Sequence, residues 1–374
     1  MPENPILFIK NLLNYNQFNP MKHTTLLITL FFFFATSVVA QVFPNPNWSY
    51  NEDSESDGWN PKKMEAYNRY IIDSTKITGL VIIHNGRIVF DYGDIEENSY
   101  IASCRKSVLA MLYGKYVEEG IIDLDESMLD LGIKDIKEFL PIEKEATIRD
   151  LISARSGIYL IGSNGGDFRD FAPERGTKEP GSYWLYSNYD FNLAGHIFEK
   201  ETGENIYDDV ESQLARPLGM EDWDRTLQQK YGDSTISTFP AYHMWFSTRD
   251  MARIGLLMLN GGNWNGKQLI SENWVNEMLK QRTSYEEVNE NVPYMKERDS
   301  HYGYGYMWWL FENMDDKRFK NAYSALGAMG QSINVFPEIN VVVAFKTKSA
   351  YRRYNSGKVR ADLITKAIEM YESN

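Results

Sequence analysis

Two runs rich in β-branched residues flank Asn85-Gly86 in TGLVIIHNGRIVFDYG, and comparable runs return only beyond residue 300. An Asn-Gly pair between such runs marks a hairpin, because its tight turn requires positive φ at both central residues. Near the other end, HYGYGYMWWLF alternates, with Tyr302, Tyr304, Tyr306 and Trp308 on one face and glycines opposite. FKNAYSALG, QSINVFP and NVVVAFKT follow as antiparallel strands. The stretch between the two strand regions is dominated by helical spacing, including Ser103 to about Glu119, ATIRDLISARSG, NYDFNLAGHIFEKETG and STRDMARIGLLMLNGG. MEAYNRYIIDS precedes the hairpin as a helix, and KVRADLITKAIEMYES closes the chain as another. The pattern predicts an α+β fold. An antiparallel sheet is assembled from residues 41–102 and 300–374 and flanked by helices, with a mainly helical subdomain, 103–299, inserted between them.

A net charge of -13 disfavours nucleic acid and anionic membrane as partners, since both demand basic patches. From Met21 the chain reads MKHTTLLITLFFFFATSVVAQ, a short basic start and an apolar run to about Val39, with Val38 and Ala40 suited to a cleavage site. Residues 1–40 are therefore predicted to be a leader with a secretory signal peptide starting at Met21, placing the mature protein in the periplasm or outside the cell. The run is about 15 residues, short of the roughly 20 that span a bilayer, so a membrane is a partner only if the signal stays uncleaved. The single cysteine, Cys104, excludes an internal disulfide and reads as a small buried helix residue.

The helix beginning SCRKS carries Ser103 and Lys106, three residues apart and so on one face. A serine hydroxyl is a weak nucleophile until a base takes its proton, and a lysine amine made less basic by burial is such a base. The helix N-terminus also offers backbone N–H groups to a developing oxyanion. Alone the spacing is unspecific; Ser74-Thr75-Lys76 nearly repeats it. About 80 residues on, PGSYWLYSNYDFNLAG adds Tyr186, a phenol able to relay a proton, and Asn188, an amide able to hold a lysine or a substrate carbonyl. Ser and Asn also serve there as a helix cap.

In this order and spacing the motifs resemble the penicillin-recognising serine hydrolases. Within them the chain is most similar to the class C β-lactamase-related branch, which includes family VIII-type esterases, D-aminopeptidases and aminohexanoate-oligomer hydrolases. The likeness runs through the HNGR turn, SCRK, ATIRDLISARSGI, PGSYWLYSN, STRDMARIGLLMLNGGNWNGKQLI, YGYGYMWW and ALGAMGQSINVFPE. It implies a β-lactamase/transpeptidase-like fold with Ser103 as the acylated nucleophile and Lys106 helping to deprotonate it. Tyr186 would exchange protons with nucleophile and leaving group, and Asn188 would position substrate and Lys106. The oxyanion would sit between the N–H of Ser103 and that of Ala328, with Gly327 allowing close approach of substrate to the strand.

One stretch departs from that pattern. Many members carry Lys-Thr-Gly or His-Thr-Gly where this chain has Ala325-Leu326-Gly327, and no gapless shift brings Lys or Arg there. Losing a charge-assisted contact to a substrate carboxylate costs about 1.5–3 kcal/mol, whereas acyl transfer itself needs only nucleophile, base and oxyanion donors. The expectation is an exported serine hydrolase acting through an acyl-enzyme on small-molecule or peptide-like esters or amides. Its alternatives are a β-lactamase or D,D-peptidase with another carboxylate contact, and an inactive binding homologue. The five histidines show no metal-ligand spacing, so neither metal nor cofactor is expected. His243 is a candidate for the pocket edge, and Ser156 belongs to a helix-ending turn. Residues 286–299 read as an exposed loop beside the cleft. Oligomeric state is not legible.

Overall fold

Asn85 and Gly86 both take positive φ, 50° and 79°, and close the hairpin between β1 (Gly79–His84) and β2 (Arg87–Gly93). The computed structural model describes residues 41–165, 168–297, 300–348 and 355–372. The leader, 1–40, lies outside these, and no helix among the described residues is long and apolar enough to cross a membrane.

Five further strands complete the sheet: β3 (Tyr302–Tyr304), β4 (Trp309–Phe311), β5 (Tyr323–Leu326), β6 (Ser332–Phe336) and β7 (Val341–Lys346). The order is β2-β1-β7-β6-β5-β4-β3, antiparallel throughout, so β1 from the start of the chain pairs with β7 from its end. This is the sheet of N- and C-terminal segments that the sequence predicts.

Strand periodicity explains why β1 and β7 read as continuous apolar runs rather than alternating ones. Leu80 and Ile82 with Val341, Val343 and Phe345 face one core, where α1 (Pro61–Ser74) and a final helix cover the sheet. Val81, Ile83, Val342 and Ala344 face the other core, beneath the central helices α2 (Cys104–Glu118), α3 (Asn188–Thr202) and α4 (Thr248–Leu259). Strands buried on both faces lose the polar alternation of a half-exposed sheet. The final helix, α5 (Gly357–Glu369), is capped by Ser356 and buries Leu363, Ile364 and Ile368.

Two predicted segments fold differently. The alternating stretch from Tyr302 is a β3–β4 hairpin rather than one strand. The N–H groups of Tyr306 and Met307 go to the carbonyls of Met278 and Ile152, and Met307 takes φ 56°, so the ladder stops and the chain reverses. The loop expected at 286–299 contains helices Tyr285–Asn291 and Pro293–Glu297. Ser284 caps the first, and Val288 and Val292, four apart in an otherwise polar run, are fully buried.

Candidate active site

The approach to Ser103 is rigid before the helix begins. Ser99–Tyr100 pairs with Trp245–Phe246, and the Ile101 N–H continues to the Met244 carbonyl at 3.0 Å. Ala102 then takes φ 50°, unfavourable for a residue with a Cβ, and Ser103 follows at the N-cap of α2 without using its hydroxyl as a cap. That hydroxyl is left for other chemistry.

α2 is buried on nearly every side, which carries its polar residues into the interior with it. Lys106 is 1% exposed, and its Nζ lies 3.1 Å from Ser103 Oγ, 2.6 Å from Tyr186 OH and 2.6 Å from Asn188 Oδ1. An ammonium buried without acceptors would be prohibitive, so these contacts are what allows a lysine here. The amine also lies over the rings of Tyr186 and Phe191, at 4.1 and 4.5 Å from their centroids.

Tyr186 and Asn188 reach Lys106 from the start of α3. Ser187, between them, accepts from the Tyr189 N–H and caps the helix, so the capping reading of this triplet and the functional one hold together. The Tyr186 ring stacks on Trp309 at 5.5 Å and packs on Phe191 and Phe168. Burial holds its phenol well above the ordinary tyrosine range, while hydrogen bonding with Ser103 and the charge of Arg105 act in the opposite sense. The Asn188 amide donates to the Gly165 carbonyl, which fixes its oxygen toward Lys106.

Gly327 ends β5 directly against the Ser103 turn. A Cβ there would lie 2.8 Å from the Ile101 carbonyl oxygen and 3.2 Å from the Ala102 Cβ, so any larger residue must push the backbone of the Ser103 turn aside. The Cys104 thiol donates to the Ala325 carbonyl at 3.4 Å, tying the same strand to α2. Among the described residues, the backbone N–H groups of Ser103 and Ala328 have no protein acceptor. The six candidate residues thus fall into two neighbouring groups. Ser103, Lys106, Tyr186 and Asn188 are joined by side-chain contacts; Gly327, which packs against Ile101 and Ala102, and Ala328 follow the end of β5, in the turn leading to β6.

His243 packs against Tyr100, three residues before Ser103. Its Nδ1 lies 2.8 Å from Tyr100 OH, and burial, with the charges of Arg105 and Lys106, lowers its pKa to about 4. Burial pushes the Cys104 thiol up to about 12, consistent with a packing role. Ser156 donates to Asp190 at 2.8 Å and accepts from the Ile158 N–H, as a turn residue does. The residue that the sequence does not reveal is Arg360, which α5 brings to the Gly327 carbonyl at 3.2 Å.

Comparison with known proteins covers most of the chain. The family model described as Beta-lactamase matches residues 68–366. An uncharacterised protein of Alkalihalophilus pseudofirmus is 25% identical over 309 residues, 74% of this chain and 82% of its own. Among solved structures, a provisionally named 6-aminohexanoate-dimer hydrolase from Bacillus anthracis superposes with a TM-score of 0.60 at 19% identity, covering 81% of this chain and 80% of its own. A family VIII carboxylesterase matches with a TM-score of 0.58 at 15% identity, covering 83% and 97%. At such identities the structural likeness establishes a shared fold.

Proposed function

The chain belongs to the β-lactamase family, and on that premise we propose that it works through an acyl-enzyme on Ser103, with an ester or small amide as substrate. Relatives of this fold are serine hydrolases of the β-lactamase and penicillin-binding type, esterases among them. The observation that carries the proposal is the Lys106 amine, in reach of Ser103 Oγ, Tyr186 OH and Asn188 Oδ1 at once.

Ser103 Oγ attacks the substrate carbonyl carbon as its proton passes to Lys106, which must be in its amine form for this step. The carbonyl oxygen gains negative charge between the N–H groups of Ser103 and Ala328. Tyr186, kept as a phenol by burial, gives its proton to the departing alkoxide or amine and is reprotonated by Lys106. Water then attacks the acyl carbonyl, and its proton returns through the same pair to Ser103. Asn188 holds Lys106 through both halves of the cycle.

The substrate preference rests on Ala325 and Leu326, buried apolar residues where a carboxylate-binding lysine would stand. Parallel turnover of a neutral p-nitrophenyl ester and a penicillin tests it. Efficient hydrolysis of the ester with slow or no penicillin turnover is expected; the reverse order would make the protein a β-lactamase. The same proposal places the protein outside the cytoplasm, supported by the basic start, apolar run and Val38/Ala40 spacing. N-terminal sequencing of protein exported from a bacterial host should begin at Gln41.

A further inference from the structure

The second oxyanion donor is a backbone group, and a backbone donor is only as good as the aim of its peptide plane. The Gly327 carbonyl and the Ala328 N–H belong to one peptide unit. In a trans peptide they point in opposite directions and turn together. Whatever holds the carbonyl therefore aims the N–H.

Arg360 Nη1 donates to that carbonyl at 3.2 Å. The side chain is half-buried on α5, 33 positions along the chain from Gly327, and among the described residues it forms no ion pair and no other hydrogen bond. A guanidinium drawn partly out of water without a carboxylate partner needs another account. Its charge is felt across the site, at Cys104 beside the nucleophile and at Tyr302.

The rest of the turn is held just as firmly. The Gly327 N–H donates to the Gln331 carbonyl at 2.9 Å, and the Asn355 N–H, next to the α5 cap, donates to the Met329 carbonyl at 3.2 Å. Met329 sits at φ 65°, a conformation costing about 1 kcal/mol or more that persists only where neighbours over-determine it. Gln331 is itself fixed, its amide donating to the Tyr100 and Thr347 carbonyls at 3.0 and 2.8 Å. Residues 327–331 are thus clamped at three backbone points, while the Ala328 N–H has no protein acceptor among the described residues.

We propose that Arg360 is a positioning residue for the oxyanion hole: by holding the Gly327 carbonyl it aims the Ala328 N–H toward the acyl oxygen. A cationic donor on the carbonyl also polarises the shared peptide and makes its N–H a stronger donor. The inference rests on the reading that Ser103 is acylated and that Ala328 supplies an oxyanion donor.

The test uses a neutral ester, so that no substrate carboxylate can contact Arg360. Removing an oxyanion donor outright costs about 10²–10³ in kcat. Misaiming one in Arg360→Met should lower kcat roughly ten- to a hundredfold on that scale, with KM within about twofold. The direct readout is the carbonyl stretch of a slowly deacylating, ¹³C-labelled acyl-enzyme, measured by infrared difference spectroscopy. Its band should move to higher wavenumber in Arg360→Met and partway back in Arg360→Lys, whose ammonium can still donate to the carbonyl. If the Met variant does not fold, judged by circular dichroism and melting temperature, the Lys variant carries the comparison alone. An unmoved band with unchanged kcat in a folded variant, or a loss confined to KM, overturns the proposal. A wild-type protein that forms no acyl adduct on Ser103 overturns the underlying reading instead, and this proposal with it.

Discussion

The Lys106 cluster and the Gly327–Gln331 turn lie side by side and are built in opposite ways. In the proposed mechanism the first, Ser103, Lys106, Tyr186 and Asn188, acts through side chains whose types announce their chemistry. The working group proposed for the second is a main-chain N–H, and the side chains of Arg360 and Gln331 hold backbone there. Asn355 contributes through its own N–H. Residue type therefore identifies the first region, whereas long-range packing specifies the second. Substitutions should separate them: the cluster is expected to fail in chemistry without losing the fold, and the turn to lose aim, stability or both.

The largest effect belongs to the cluster. Ser103→Ala or Lys106→Ala should lower kcat/KM for a p-nitrophenyl ester by about 10⁴-fold or more, and the double variant should be little worse, because residues acting as one unit are not additive. Equal multiplication of the two losses would break the unit. Tyr186→Phe should cost about 10²–10⁴ in kcat. Because burial raises this phenol, wild-type activity should show no loss from its ionisation between pH 8 and 10, where an ordinary tyrosine begins to titrate. A kcat–pH profile that falls there in wild type but not in the Phe variant would contradict the assignment.

Gly327→Ala tests the turn. The added Cβ would meet the Ile101 carbonyl and the Gln331 Cβ at 2.8 and 2.9 Å, so a stability loss of about 1–3 kcal/mol is expected from overpacking, together with a fall in kcat. Chemical denaturation and steady-state kinetics on the same sample check both, and full activity would show that the strand end does not carry the oxyanion donor. The smallest effect is at His243, which contacts Tyr100 ahead of the nucleophile turn. Its folded pKa of about 4 lies below the unfolded value, so the unfolded state binds more protons between pH 6.5 and 4, and stability falls as pH drops through that window. His243→Gln should flatten that slope in urea unfolding measured at several pH values. An unchanged slope would mean that the ring is not held neutral.

Much of the fold was legible because it rests on local signals. Asn85-Gly86 sets the hairpin, and the β-branched run of β7 supplies its partner. The helix carrying Asn188 shows its apolar spacing and its Ser187 cap, and the one carrying Lys106 shows itself as a long apolar run ended by Gly120. Tyr302–Phe311 misled because alternation continues through the reversal, and the carbonyls of Met278 and Ile152, distant in sequence, end the ladder. Val288 and Val292 were hidden among acidic residues that keep the rest of their helix wet. At the site, Ser103 and Lys106 share a turn of helix, so spacing alone brings them together. Arg360 offers no such cue, since its pairing with the Gly327 carbonyl depends on where α5 docks.

The central claim is that Ser103, activated through Lys106, becomes acylated. The most direct measurement is intact mass followed by peptide mapping, after brief exposure to a slowly hydrolysed p-nitrophenyl ester and rapid acid quench. One acyl increment on the peptide containing Ser103 is expected, absent in Ser103→Ala and strongly reduced in Lys106→Ala. Undiminished ester hydrolysis by Ser103→Ala, or an acyl group on another residue, would contradict it.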